Sequence, residues 1–248
     1  MDTFTLNFHP AESTINSFLP NLKKEYEETG HGMYCNWDVI KKRQKKDQII
    51  TLRYNNVDIA FVTWYRIDKV VEMEIIWTSP TFRGHGFGLI FQELLFKEFK
   101  KRGDVALTLF CASKDGLSLA RRSGFQPQYN RCDFSNESIE LGLTAAYIKI
   151  LRNTEPLLMD NNDSYILCFE EYGKDDSLFC EIPLCADYEQ TPVYYYVDES
   201  WECKIIYKGE LIRQSKLEYI LRDLKIGVYN YTVALFDKNI VLPNHWLK

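Results

Sequence analysis

The stretch T-S-P-T-F-R-G-H-G-F-G at residues 78–88 places three glycines and one arginine directly after an apolar segment. Glycine weakens the interior of a helix or strand, so this density indicates that something must approach the backbone closely. The first amides of a helix lack partners inside the helix, and the helix dipole adds partial positive charge there. A glycine-rich helix entry beside Arg83 therefore predicts a site for an anion such as a phosphate.

The spacing of the glycines separates this loop from two common phosphate-binding motifs. A nucleoside-triphosphate loop requires G-x-x-x-x-G-K-[ST], and no lysine follows these glycines. A dinucleotide fingerprint requires G-x-G-x-x-G, whereas the order here is G-H-G-F-G. The pattern present is R-x-x-G-x-G, at Arg83, Gly86 and Gly88. A glycine-rich structural turn is the alternative interpretation.

The segments before the loop predict one strand and two helices. Residues 3–8, T-F-T-L-N-F, alternate polar and apolar side chains and predict a strand. Residues 12–28 have helical spacing but contain Pro20, which predicts a kinked helix or two short ones. A second helix is predicted over residues 37–46, with Asn36 as its N-terminal cap.

Three strands linked by short turns lead into the loop. Residues 48–54 and 57–65 flank Asn55-Asn56, which favours a hairpin because asparagine tolerates positive φ. Residues 70–77 follow after a second turn. The short connections predict three neighbouring antiparallel strands.

The segments after the loop continue the alternation of helix and strand. Residues 89–103 predict an amphipathic helix and residues 105–112 a buried strand. This strand should lie parallel to residues 70–77, since a helix crosses between them. A short helix at residues 115–123 and an extended segment at 124–134 are expected to follow.

The pattern changes beyond about residue 134. Residues 134–143 are polar and predict a linker, and residues 144–158 fit either a helix or a strand. The remaining strand-like segments are rich in aromatic residues, and Gln214–Leu224 has a helical pattern. We therefore expect a first domain at residues 1–133 and a smaller α+β accessory domain at 144–248.

The glycine motif and the order of elements resemble the GNAT superfamily of acyl-CoA N-acyltransferases. The resemblance covers residues 3 to about 133 and includes the Gly124-Phe125 pair after the short helix. It implies a mixed α/β (α+β) fold in which helices flank a splayed central sheet, with acetyl-CoA as co-substrate and a primary amine as acceptor. It also implies contacts with the coenzyme at Ile76, Trp77, Thr78, Arg83, Gly84, His85, Gly86, Phe87, Gly88, Leu89 and Ser113.

Two glutamates are candidates for the base that removes a proton from the attacking amine. Glu72 and Glu74 should share one face of their strand with residue 76, while residues 71, 73, 75 and 77 occupy the other. Glu72 lies eleven residues before Arg83. In this spacing the chain resembles the histone-type branch of the family, in which a glutamate at that position is catalytic. The alternative is a structural cross-strand pair with Arg66 or Arg53.

Two positions depart from the family pattern. Ala120 stands where many members carry a tyrosine that returns a proton to the thiolate, and Ser113 replaces a frequent asparagine. Cys111, Ser113 or Tyr129 are candidate substitutes, and solvent is another proton source. These departures support an alternative function, a catalytically weak acyl-CoA-binding module whose second domain binds a protein partner. An unrelated phosphate or nucleotide binder is the third hypothesis.

Charge and cysteine content limit which partners and which cellular compartment we expect for this chain. Residues 1–133 carry 19 Lys and Arg against 16 Asp and Glu, and residues 134–248 carry 11 against 19. The acidic second half disfavours nucleic acid. If it overhangs the site, it favours a cationic small-molecule or peptide amine, and the alternative is that its charge only keeps that domain soluble. Seven cysteines without C-x-x-C spacing predict reduced thiols and no metal site. With no secretion signal at its start and no apolar run of membrane-span length, we expect a cytoplasmic protein.

Overall fold

The computed structural model describes residues 2–128, 145–151, 158, 163–169, 178–190, 192–198, 201–229 and 233–247. The chain divides into two compact units, residues 1–151 and 152–248. The α-helices are α1 (Glu12–Thr29), α2 (Trp37–Gln44), α3 (Phe87–Lys101), α4 (Lys114–Arg122) and α5 (Leu217–Asp223). The strands are β1 (Phe4–Asn7), β2 (Ile49–Tyr54), β3 (Val57–Ile67), β4 (Val70–Thr78), β5 (Ala106–Cys111), β6 (Gln126–Pro127), β7 (Ala145–Ile150), β8 (Tyr165–Phe169), β9 (Leu178–Pro183), β10 (Val193–Tyr196), β11 (Glu202–Tyr207), β12 (Glu210–Lys216), β13 (Gly227–Tyr229) and β14 (Val233–Phe236).

The first unit is built on a seven-stranded sheet with the order β1-β2-β3-β4-β5-β7-β6. The predicted antiparallel arrangement of β2, β3 and β4 is confirmed, and Asn55 and Asn56 both have positive φ in the hairpin turn. The parallel pairing of β4 with β5, predicted from the helix between them, is also confirmed. The sheet is therefore mostly antiparallel, with one parallel step next to the glycine loop.

Helices cover both faces of this sheet. On one face, Leu95 and Phe99 of α3 pack in a core with Met73 of β4. On the other, Ile15 and Leu22 of α1 pack in a separate core with residues of β2, β3 and β4. The fold class is mixed α/β, as predicted, and an α+β region follows it.

Helix α1 continues through Pro20 instead of ending there. Ile15, Phe18 and Leu22, on both sides of the proline, are at most 3% exposed and face one core. Their shared burial holds the helix together, although proline removes one hydrogen bond. Asn36 precedes α2 at the predicted position, but its side chain makes no capping hydrogen bond.

The sheet of the first unit extends beyond residue 133, the limit expected from sequence. Strand β7 (Ala145–Ile150) pairs with β5 along its whole length, so residues 144–158 begin with a strand that belongs to the first unit. Its pairing with both β5 and β6 is a long-range feature that local sequence does not reveal. The predicted linker at 134–143 lies outside the described residues.

The second unit contains a four-stranded sheet, β12-β11-β8-β9, and a three-stranded sheet, β10-β14-β13. Its core includes the fully buried side chains of Trp201, Tyr188 and Phe236. Helix α5 begins at Leu217, three residues after the predicted start, because residues 214–216 pair with β11 as the end of β12. Within the part of the chain that is described, no helix combines the length and apolarity needed to cross a bilayer.

Candidate functional site

Strands β4 and β5 run side by side only over their first four residues. Their pairing extends from Val70 opposite Ala106 to Met73 opposite Leu109. Beyond Met73, β4 continues to pair with β3 as far as Thr78, whereas β5 continues to pair with β7. The edge of β4 that faces β5 thus has no sheet partner from Glu74 to Thr78 among the described residues. The two parallel strands separate and leave a gap.

A β-bulge at Glu74 marks the start of this gap. Thr63 of β3 lies opposite Ile75 and Trp64 lies opposite Met73, so Glu74 is an extra residue on β4. A bulge bends its strand and increases the local twist. The bend turns β4 away from β5 at the position where their pairing ends.

The bulge also overturns the predicted alternation of side chains along β4. Met73 packs in the core beneath α3, and Ile76 packs against the same core. Ile75 and Trp77 pack on the opposite face, in the core that contains α1. The prediction that residue 76 shares the face of Glu74 was therefore wrong, because the extra residue reverses the order of faces after it.

The glycine loop follows the end of β4 and exposes a run of backbone amides. Gly84 and Gly86 both have φ of +80°, and Gly86 caps the N-terminus of α3. The amide of Arg83 donates to the carbonyl of Pro80 (3.2 Å), and the amide of Leu89 donates to that of Gly86 (3.0 Å). Between them, the amides of residues 84–88 have no acceptor within the described residues. Five consecutive donors without an internal acceptor at a helix N-terminus have the chemistry to bind an anion.

The space in front of these amides is open. A Cβ placed on Gly84 or Gly86 would meet no atom within 4 Å. Gly88 lies against α4, where a Cβ would be in ordinary van der Waals contact with the Leu119 side chain, at 3.4 Å. Gly84 and Gly86 thus provide the left-handed backbone and leave the amides accessible, which fits an approaching diphosphate.

Arg83 is held along β4 by three contacts. Its Nε donates to the carbonyl oxygen of Thr78 (2.8 Å), and its guanidinium forms an ion pair with Glu25 of α1 and lies 5.8 Å from the Trp77 ring. Glu25 also accepts a hydrogen bond from Trp77 Nε1 (2.6 Å). Arg83, predicted as a cation beside the coenzyme, therefore ties the loop to β4 and α1. Trp77 is 4% exposed, so only its backbone can line the gap.

An aromatic cluster anchors the start of α3. The centre of the Phe87 ring lies 5.2 Å from that of Phe4, 5.0 Å from that of Tyr54 and 6.2 Å from that of Phe82, and the His85 ring lies tilted to it at 5.8 Å. Sequence reasoning treated Phe87 only as part of the loop. Its partners come from β1, β2 and the segment before the loop, so no local pattern could have identified the cluster. This packing fixes the position of the amides that follow.

The two candidate glutamates have different surroundings. Glu74 accepts two hydrogen bonds from Arg43 of α2, with Nη2 at 2.6 Å from its Oε1. The Arg43 guanidinium also donates to Gln48 (2.9 Å) and lies 4.4 Å from the centre of the Tyr65 ring. The hydrogen bond to Glu74 raises the pKa of Arg43. The charge of Glu74 is thus neutralised by a bidentate partner that is largely buried.

Glu72 has a neutral partner instead. It lies opposite Tyr65 on the neighbouring strand and accepts a hydrogen bond from the Tyr65 hydroxyl. Burial, together with this carboxylate, raises the pKa of Tyr65, so the phenol stays protonated as a donor. Among the ion pairs of the described residues, neither glutamate is joined to Arg66 or Arg53, which was the alternative. Those arginines instead form ion pairs with Asp104 and Asp58, respectively.

The residues at the positions that depart from the family pattern either cap a helix or are buried in the core. Ser113 caps α4, because its Oγ accepts from the amide of Gly116 (3.1 Å). Ala120 is 1% exposed in the core beneath α3. Cys111 is buried in the same core, and burial raises its pKa to about 12. Tyr129 lies outside the described residues.

No family model matches the chain, and no curated protein matches its sequence. Solved structures, acetyltransferases among them, are similar to about 60% of it. The PaiA N-acetyltransferase of Thermoplasma acidophilum, in complex with coenzyme A, is 15% identical with a TM-score of 0.45, over 60% of this chain and 99% of that one. A GNAT-family acetyltransferase of Listeria monocytogenes is 16% identical with a TM-score of 0.45, over 59% and 94%. Ard1 of Thermoplasma volcanium is 9% identical with a TM-score of 0.45, over 59% and 97%.

Proposed function

We propose that the first unit is an acyl-CoA N-acyltransferase that transfers an acetyl group from acetyl-CoA to a primary amine. One observation carries this proposal: the gap between β4 and β5 leads directly into the open amides of residues 84–88. A strand edge whose peptide groups have no partner strand suits the amides of a pantetheine chain, and a helix N-terminus suits a diphosphate. Coenzyme A contains a pantetheine arm followed by a diphosphate, in the same order as the strand edge and the helix N-terminus along the chain.

Each part of the site has a distinct role in this proposal. The amides of residues 84–88 hold the diphosphate, and the backbone of residues 76–78 pairs with the pantetheine arm. Acetyl-CoA supplies the activated thioester. The chain then needs to orient the amine and to accept one proton from it as the new amide bond forms.

Glu72 is the base in this proposal, and Glu74 is a structural residue. Both carboxylate oxygens of Glu74 already accept hydrogen bonds from Arg43, so this side chain is committed to the contact between β4 and α2. Glu72 accepts from one phenol, on the strand segment just before the gap, and keeps acceptor capacity for an amine or a bridging water. A thiolate leaves readily, so a proton from solvent completes the reaction without a tyrosine at position 120.

The acceptor in this proposal is a small-molecule or peptide amine, and the net charge of −5 of the chain favours a cationic one. An alternative function is a coenzyme-binding module with little activity. The small, buried Ala120 favours that alternative, because it leaves no phenol at the position that usually serves the thiolate.

A titration of the full chain with acetyl-CoA, followed by an amine panel monitored by thiol release, tests the proposal. Binding with amine-dependent thiol release is the expected result. Binding without release would favour the module, and no binding would refute both.

The matched pair Glu72→Gln and Glu74→Gln tests the choice of base. Glu72→Gln should lower kcat about 100-fold or more and leave the Kd for acetyl-CoA within about twofold. Glu74→Gln should reduce stability more than kcat. Equal loss of kcat and coenzyme affinity in Glu72→Gln would reject it as the base.

A further inference from the structure

Three cysteines lie side by side on adjacent strands of the second unit. Cys203 of β11 is paired in register with Cys168 of β8, which is in turn paired with Cys180 of β9. Directly paired residues of antiparallel strands project to the same face, so the three thiols form a row across the sheet. The two sulfurs of Cys203 and Cys168 are 3.2 Å apart, and Cys168 also hydrogen-bonds with Cys180. We call these residues the cysteine row.

The cysteine row leads from the edge of the sheet into the core. Cys168 and Cys203 are both 0% exposed, whereas Cys180 lies on the edge strand β9 and is partly exposed. Strands are spaced by about 4.8 Å, so the outer two thiols are separated by about 10 Å and cannot converge with Cys168 on one ion. Among the described residues, no group of three or more His, Cys, Asp or Glu side chains is placed to hold a metal. The cysteine row is therefore better suited to reactions between thiols than to binding a metal ion.

We propose that the cysteine row is an oxidation site that reacts with a hydroperoxide at Cys180 and passes the oxidation inward to a Cys168–Cys203 disulfide. In the first step the Cys180 thiol takes one oxygen from the hydroperoxide, forming a sulfenic acid and releasing an alcohol or water. The Cys168 thiol then attacks that sulfur, and a Cys168–Cys180 disulfide forms with loss of water. Finally the Cys203 thiol attacks Cys168, which forms the inner disulfide and returns Cys180 to a thiol.

The geometry suits both disulfides. Directly opposed residues of antiparallel strands have Cα atoms about 4.5–5.5 Å apart, which lies within the range that a disulfide spans. The sulfurs of Cys168 and Cys203 need to approach by only about 1 Å to reach bonding distance. The hydrogen bond to Cys168, together with burial, raises the pKa of Cys180, so little thiolate is present and the first step is slow.

Time-resolved trapping in the unmodified full chain tests the order of events. The reduced protein is treated with excess hydrogen peroxide, samples are quenched with N-ethylmaleimide in denaturant, and non-reduced peptides are mapped by mass spectrometry. The Cys168–Cys180 link should appear first and decline as the Cys168–Cys203 link accumulates, each with a loss of about 2 Da. Appearance of the inner link first, or oxidation of Cys180 to sulfinic acid without any disulfide, would overturn the proposal.

Serine variants provide an independent test. Cys180→Ser should slow the Cys168–Cys203 link at least about tenfold, because the partly exposed entry thiol is lost. Cys203→Ser should stop the sequence at the Cys168–Cys180 link. Cys111→Ser, a buried cysteine of the first unit, is the matched control and should change neither rate. An unchanged rate in Cys180→Ser would refute the relay.

Discussion

Gly86 offers the sharpest test of the anion site, because one added methyl group changes both the backbone and the space above the amides. Its φ of +80° lies in the left-handed region, where an L-residue costs about 1–2 kcal/mol. A Cβ there would meet no protein atom within 4 Å, so the cost in Gly86→Ala is conformational and not steric. For a unit of this size, we expect the melting temperature to fall by about 2–8 °C.

The effect on the coenzyme should be larger than the effect on stability. A shift of the backbone at Gly86, or a methyl over the amides, should break at least one charge-assisted hydrogen bond to the diphosphate. Such a bond contributes about 1.5–3 kcal/mol, which corresponds to a rise in Kd of about ten- to 150-fold. Isothermal titration with acetyl-CoA measures this change, and the same protein is used for thermal unfolding.

Gly30→Ala is the matched control. Gly30 ends α1 with a φ of +69° and, like Gly86, has no atom within 4 Å of an added Cβ. The variant should lose similar stability and keep its Kd for acetyl-CoA. If Gly86→Ala bound acetyl-CoA as tightly as the unmodified protein, the amides of residues 84–88 would not be the diphosphate site and the reasoning would fail.

Three further predictions concern the neighbouring side chains. The double-mutant cycle of Arg43→Met and Glu74→Gln, measured by denaturant unfolding, should give a coupling of about 1–2 kcal/mol, and no coupling would contradict the ion pair. Tyr65→Phe should lower kcat by about tenfold without changing the Kd for acetyl-CoA, because Glu72 loses the donor that orients it, and an unchanged kcat would exclude this role. The pKa of Cys111 is raised to about 12 from an unfolded value of 9.0, so its contribution to stability is complete below pH 9 and is lost as the pH rises toward 12. Unfolding between pH 9 and pH 11 should therefore show a slope about 1.4 kcal/mol per pH unit shallower in Cys111→Ala, and equal slopes would refute the assignment.

The parts of the fold that depend on local signals could be predicted from sequence. Asn55-Asn56 between two apolar runs specified the hairpin, and the crossing helix required the parallel step between β4 and β5. The glycines indicated a loop with open amides from the strand–loop–helix context alone, and the binding of an anion there stays a prediction. These features follow from local sequence patterns and from the connections between successive elements.

The features that sequence did not reveal depend on distant partners. The bulge at Glu74 depends on how β4 pairs with β3, whereas periodicity alone predicts an uninterrupted strand. The pairing of Glu74 with Arg43 crosses 31 residues, which is why nearer arginines were proposed instead. Strand β7 joins the first sheet through β5 rather than through its chain neighbours. In each case a contact between residues distant in sequence determined the structure, and the local sequence pattern did not.

The bulge on β4 has a consequence for how this cleft could diversify. The gap between β4 and β5 opens because β4 carries one extra backbone residue. Replacing the side chains around the gap therefore alters what fits inside it without closing it. Removing a single codon at Glu74 would instead restore regular pairing and draw β4 back alongside β5. Substitutions can thus change the occupant of the cleft over evolutionary time, whereas an in-frame deletion at this one position would abolish the cleft itself.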